Sequence, residues 1–416
     1  MQTVNINVNV FFMLCLCLHV VAEEICDHVI CFGNPGIKRS SVCTCDCQNT
    51  GVQNLIKKSV ACTISDDQDL GLLFDSLPLT QRIQLTCGSS SVIQRQLNES
   101  IMSKHNSTLV SFRSCGCKFD QINQHTFKNF KNLSEVAIVN GNITHESIPA
   151  FLSIPTLVTL NLDSNHFPRL DSYTFCKQNV TCALQTLSLR SNSLHNLSES
   201  TFRGLSGLLK IDLSGNNLET VPIDHWSDLN SLTNINLTWN RIQYLPNNTA
   251  LQNIETFDVS VNKLTRYNLK MGRGTWNFLQ YLNVSHNEIS IIKTKDFVLY
   301  GVKVLDLSFN KIEFIEKDAF DDVAGIEIID LRYNRLKRIP DDYHNQIEYL
   351  YFYTTNVFGV YFYGNPLECG CKRIEHLKRG NGLQTDHLRV LDYNQLMCVE
   401  PYSAAGQLVS EVSLQN

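Results

Sequence analysis

The chain has 416 residues, enough for one long repeat array or two to three globular domains. With 43% hydrophobic and 18% charged residues it can bury a core, which excludes a disordered polymer. The net charge is -5 with both signs dispersed, and no basic run sits beside aromatic residues, so nucleic acid is not an expected partner.

Residues 1–22 have the pattern of a secretory leader. An apolar stretch runs from Val10 to Val21, and the small residues Val20 and Ala22 mark a cleavage point. Two of the sixteen cysteines, Cys15 and Cys17, fall in this leader. The rest gather towards the two ends, with none between Ala183 and Glu368, which suits disulfides formed in an oxidising compartment. Nine Asn-x-Ser/Thr sequons agree with export: Asn98, Asn106, Asn132, Asn142, Asn179, Asn196, Asn236, Asn247 and Asn283. No later segment reaches the ~18 consecutive apolar residues that a membrane span needs. Ser403–Asn416 lacks the apolar end of a lipid anchor. The expected location is extracellular, or the cell surface if the natural chain continues past Asn416 into a membrane span.

Residues 23–88 are cysteine-rich and read as a first cap. The alternating Cys43, Cys45 and Cys47 would suit zinc or disulfides, and export favours disulfides.

From residue 89 to 364 the chain repeats itself. Leu157, Leu160, Leu162 and Asn165 set a frame in which apolar residues stand at positions one, four and six and Asn at position nine. The Asn recurs at 192, 216, 240, 262, 287, 310, 334 and 365. Two weaker copies precede, with Cys117 and Gly141 in the Asn slot. This is the leucine-rich-repeat pattern. It implies an α/β solenoid, or horseshoe, with a parallel sheet on the concave face and an irregular convex side. One repeat cannot bury its apolar residues alone, so neighbours must stack. Eighteen residues after position one comes an aromatic: Phe127, Phe151, Phe175, Phe202, Trp226, Phe297 and Phe320. A stripe locked to the repeat period reads as a core spine.

Among the cysteines of the array, Cys176 and Cys182 are six residues apart in a stretched repeat and read as a local disulfide. Cys117 stands in the inward Asn slot and is expected to be a buried thiol. Cys87 and Cys115 are then candidates to pair across strands, with intermolecular bonding as the alternative.

Residues 365–416 form the second cap. It opens Asn365-Pro-Leu-Glu-Cys369-Gly-Cys371 and continues through Leu391 to Cys398 and Leu408. The opening resembles the cysteine-rich flank of extracellular leucine-rich-repeat proteins, and the later part most resembles Toll and Toll-like receptor ectodomains. The resemblance covers roughly Leu109 to Leu408. It implies a Cys369–Cys398 pair and a partner for Cys371 beyond Cys398, so the cap reads as incomplete. It also implies ligand recognition in innate immune or developmental signalling, either in a receptor ectodomain or in a soluble form. The alternative is a structural matrix or cell-adhesion protein.

Two surfaces are candidates for the partner, an extracellular protein or microbial ligand, with homo- or heterodimers also possible. Position five carries Asp212, Asp258, Asp306 and Asp330, either as ordinary residues on a solvated sheet or as a site for a cationic ligand. Asn236 and Asn283 share that position, so sugars there would push large partners off the middle of the concave face. Position eight carries Trp239, His286, Phe309 and Tyr333, followed by Tyr349, Tyr351, Tyr353, Tyr361 and Tyr363. These aromatics either meet a partner or pack on each other and the cap. No Gly-x-Ser-x-Gly, phosphate loop or His-Glu-x-x-His occurs, so no catalysis, cofactor or metal is expected.

Overall fold

Strands form wherever the repeat brings two inward apolar residues to alternate positions. The computed structural model describes residues 42–49, 56–64, 69–77, 79–88, 95–176, 182–246, 251–267, 278–294, 296–316, 319–320, 323–337, 358–369, 388–400, 404–410 and 412. The leader, Cys26, Cys31, Asn179, Asn247, Tyr349, Tyr351, Tyr353 and Cys371 lie outside them. The chain divides into two units, Met1–Asn165 and His166–Asn416.

In the first unit β1 (Val42–Asn49) runs antiparallel to β2 (Ile56–Ile64). The parallel ladder then continues through β3 (Arg82–Cys87), β4 (Ser111–Cys115), β5 (Glu135–Val139) and β6 (Thr159–Asn161). The parallel sheet therefore reaches back into the stretch read as the first cap. Cys43 and Cys62 face each other across β1 and β2 and are bonded.

The cysteine pairing expected further on is corrected here. Cys87 bonds Cys117, not Cys115, so Cys117 is buried but is no free thiol. The reason is strand parity, since successive side chains point to opposite faces. Ile83, Leu85 and Cys87 point inward on β3. On β4 the inward residues are Phe112 and Ser114, which puts Cys115 on the other face. Cys117 comes back inside through Gly116, whose φ of 75° only glycine adopts freely. A Cβ at Gly116 would lie 2.8 Å from the Cys87 carbonyl oxygen.

In the second unit the parallel sheet comprises β7 (Thr186–Ser188), β8 (Lys210–Asp212), β9 (Asn234–Asn236), β10 (Thr256–Asp258), β11 (Tyr281–Asn283), β12 (Val304–Asp306), β13 (Ile328–Asp330), β14 (Phe358–Tyr361) and β15 (Leu388–Val390). Positions four and six of each described repeat are buried. Each such side chain stabilises the array by roughly 1.5–3 kcal/mol. The aromatic spine stacks behind the sheet: Phe202 meets Phe175 at 6.2 Å and Trp226 at 5.3 Å, and Phe297 meets Phe320 at 6.0 Å. The repeats begun by Leu232 and Ile254 have no aromatic at this offset, and in the second of them Tyr267 stacks on Phe297 at 4.6 Å. Cys176 is bonded to Cys182 and Cys369 to Cys398.

The asparagines tie one repeat to the next. The Asn216 amide nitrogen donates to the carbonyls of Leu189 (3.0 Å) and Leu213 (2.9 Å). Its oxygen accepts from the backbone of Asn192 (2.8 Å) and Leu194 (3.0 Å). Asn262, Asn287, Asn310 and Asn334 bridge their neighbours in the same way. After the last repeat, Asp392 accepts from the backbone of Phe362 (2.9 Å) and Tyr363 (2.7 Å).

Two outcomes test this packing. Asn310→Ala strips partners from the Ile289 N–H and the Val284 and Leu307 carbonyls, and should lower the denaturant-unfolding free energy by about 3 kcal/mol. The second concerns His105 in the first unit, buried against α1 (Leu70–Ser76), with Nε2 3.3 Å from the Phe74 carbonyl and Nδ1 without a partner. Burial lowers its pKa from the ordinary value, against an opposing pull from that carbonyl. Of the nearby charges, Lys104 lowers it further and Asp75 raises it. The folded state thus prefers the neutral ring. Its contribution is present above the unfolded pKa of about 6.5 and is lost as pH falls through the lower folded value. Melting curves between pH 7.5 and 5 should show this loss, and His105→Leu should flatten it.

Candidate ligand-recognition surface

The repeats begun by Leu208 to Ile326 leave the sheet by the same two devices. At position five, an Asp or Asn oxygen accepts from the backbone N–H two residues on. Asp212 does so to Ser214 (2.8 Å), Asn236 to Thr238 (3.1 Å), Asp258 to Ser260 (2.9 Å), Asn283 to Ser285 (3.0 Å), Asp306 to Ser308 (2.9 Å) and Asp330 to Arg332 (3.0 Å). Such a turn is what short polar side chains make at the end of a strand. At position eight the backbone enters the left-handed region. Its φ values are 56° at Ser191, 66° at Gly215, 56° at Trp239, 54° at Val261, 52° at His286, 53° at Phe309 and 54° at Tyr333.

The first device explains the acidic row. Its carboxylates serve the sheet itself. Asn236 donates to Asp212 and Asn283 to Asp258, each at 3.1 Å. Arg332 clamps Asp330 through Nε at 2.9 and 3.0 Å and lies 4.9 Å over the Tyr361 ring. Burial pushes Asp258 and Asp306 above the usual carboxylate range, opposed by the hydrogen bonds from Ser260 and Ser308. The row is a set of turn formers with half-buried charge.

The same geometry revises the expectation of sugars in the middle of the concave face. Asn283 is buried, and both ends of its amide are engaged, by Ser285 and Asp258. Asn236 is half-buried and engaged likewise, by Thr238 and Asp212.

The second device produces the aromatic ridge. A left-handed residue ends the strand and turns its side chain out before the inward Asn. His286 lies flat on Phe309 with ring centres 4.2 Å apart, and Phe309 on Tyr333 at 4.3 Å. Tyr363 closes the row edge-on at 5.5 Å from Tyr333. Phe309 and Tyr333 remain 42% and 43% exposed even so. Burial lowers the His286 pKa from its ordinary value and so favours the neutral ring. Trp239 is 55% exposed but stands apart, because Val261 occupies the intervening repeat. Tyr361 is a position-five residue under Arg332 and does not join the ridge.

Among the exposed apolar residues that escaped the sequence reading, Tyr244, Ile291 and Phe314 share one place in the repeat. Each stands four residues after a ladder asparagine, at 240, 287 and 310, so a fixed offset was there to find them. Beside them Lys311 pairs with Glu288 (2.7 Å) and Arg335 with Glu313 (3.1 Å).

Site-specific glycopeptide mass spectrometry of the secreted chain should find Asn283 bare. A high sugar occupancy there would mean that the position-five amide turns out of the sheet.

The comparisons with known proteins fit this geometry. A leucine-rich-repeat family model matches residues 182–242 and 277–336. Lumican of Homo sapiens is 25% identical over 172 residues, which is 40% of this chain and 48% of lumican. Toll-like receptor 3 of Bos taurus is 29% identical over 166 residues, 36% of this chain and 18% of the receptor. The chain thus spans about half the length of the lumican it matches, and a smaller part of that receptor. Among solved structures, a chain of the mouse RP105/MD-1 complex is 18% identical with a TM-score of 0.56, covering 85% of this chain and 66% of that one. A chain of the TLR13–ssRNA13 complex is 18% identical with a TM-score of 0.54, covering 84% of this chain and 58% of that one. The fold is that of leucine-rich-repeat proteins, and within it the chain resembles Toll-like receptor ectodomains.

Proposed function

We propose that this chain is an extracellular recognition module, a Toll-like-receptor-type ectodomain or its soluble form, acting in innate immune or developmental signalling. It binds an extracellular protein or microbial ligand by surface contact and catalyses no reaction. Export rests on the leader and the sequons. No helix among the described residues is long and apolar enough to cross a membrane.

The ridge of His286, Phe309 and Tyr333 carries the proposal. The left-handed corner is filled elsewhere by Ser191 and Gly215, so the fold does not itself require aromatics there. A left-handed conformation costs a residue with a Cβ about 1–2 kcal/mol, whereas glycine escapes the penalty. Three consecutive rings that take this cost and remain exposed are accounted for by a contact, since exposed aromatics are the residues that anchor interfaces. The likeness to lumican supports a second reading, a matrix or adhesion protein built on the same surface.

The test is comparative capture. The immobilised chain is exposed to secreted proteins beside a Phe309→Ser, Tyr333→Ser variant of equal melting temperature. Loss of at least ~100-fold in affinity for the captured partner is expected for two truncated anchors. Equal retention by the variant would remove the ridge from the interface. Capture dominated by fibrous matrix components would favour the second reading.

A further inference from the structure

The first unit has a polar cleft of about 450 Å³ that the recognition surface does not use. Its walls come from two successive repeats. Asp120, Gln124 and His125 line one side, and Glu146 and Pro149 the other. Asn142 and Thr144, the two ends of the sequon Asn-Ile-Thr, stand in the same lining. Asn142 is exposed and has a φ of 62°, in the left-handed region. Its state differs from that of other sequon asparagines: Asn132 donates its amide to the Ser107 carbonyl (2.7 Å), and Asn236 and Asn283 donate theirs to carboxylates.

We propose that this cleft is a seat for the first sugars of an N-linked oligosaccharide attached to Asn142. The inference rests on the reading that the chain is exported. The bond that forms joins Asn142 Nδ2 to the anomeric carbon of the first sugar. The bond that breaks joins that carbon to a lipid pyrophosphate donor, which leaves as the pyrophosphate while the amide gives up one proton. Clefts of 300–1,000 Å³ hold drug-sized ligands, a class that includes a disaccharide. The chemistry of the walls matches a sugar. Asp120 and Glu146 accept from hydroxyls, and the Gln124 amide, 3.2 Å from the His125 ring nitrogen, offers both a donor and an acceptor. Pro149, which is exposed, gives apolar surface for the C–H face of a pyranose ring. Seated there, the inner sugars are shielded from trimming enzymes.

The experiment is site-by-site glycan analysis of the whole chain secreted from animal cells, with Asn196 as the internal comparison, since it too is exposed. Asn142 should keep untrimmed oligomannose while Asn196 carries processed glycans. Enzymatic removal from the native protein should be about tenfold slower at Asn142, the protection expected of two or three net hydrogen bonds. Gln124→Ala with Glu146→Ala should abolish both differences. If that variant fails to be secreted, the native removal rates of the unaltered chain decide. Sugar on Asn196 with Asn142 bare, or equal processing and removal rates at both, overturns the proposal alone. No sugar at any sequon overturns it together with the export reading.

Discussion

The structure depends on what happens to the backbone where the chain leaves each strand and turns through the core. Amides and carbonyls there face neither solvent nor the sheet, and burying them unpaired costs about 1–3 kcal/mol each. A buried Asn side chain resolves this because it carries a donor and an acceptor on one short arm. Asn216 bonds Leu213 within its own repeat and Leu189, Asn192 and Leu194 of the one before, so one side chain serves both the turn and the adhesion between repeats. The array therefore holds together through polar satisfaction as much as through its leucines.

The ends of the array show the same constraint met by other chemistry. Beyond the last repeat, the Asp392 carboxylate takes the Phe362 N–H, which in earlier repeats goes to a carbonyl of the next strand, and the Tyr363 N–H, which in earlier repeats goes to a position-five side chain. In the first unit, where the Asn slot holds Cys117, a disulfide to Cys87 joins the neighbouring strands covalently. In both places a side chain reaches across to the adjacent repeat.

The outward-facing surface follows from that inward requirement. To bring position nine inside, the chain turns at position eight into the left-handed region, and the side chain at that corner is expelled. Gly215 escapes the left-handed penalty and Ser191 meets it with a small side chain, while His286, Phe309 and Tyr333 place large rings at the same corner. Adjacent strands bring these corners into register, so residues more than twenty positions apart in sequence stack at 4.2 and 4.3 Å. The Asp and Asn residues at position five, by contrast, are consumed by their own turns, which leaves the aromatic ridge as the more available contact surface.

Periodicity was legible because it is a one-dimensional property. The asparagine spacing alone determined the solenoid, the inward positions and most of the aromatic spine. Facing was not legible where the period broke. Strand parity turns Cys115 outward, but the sequence could not show that Cys117 comes within bonding reach of Cys87, because that depends on the left-handed turn at Gly116. Nor could it show that Tyr267 joins the spine, since Tyr267 stands off the eighteen-residue beat and arrives by packing on Phe297. The sequence by itself determined which residues recur. Only the tertiary structure decided which recurring residues spend their hydrogen bonds inside the sheet and which remain exposed, because that choice depends on the neighbouring repeat.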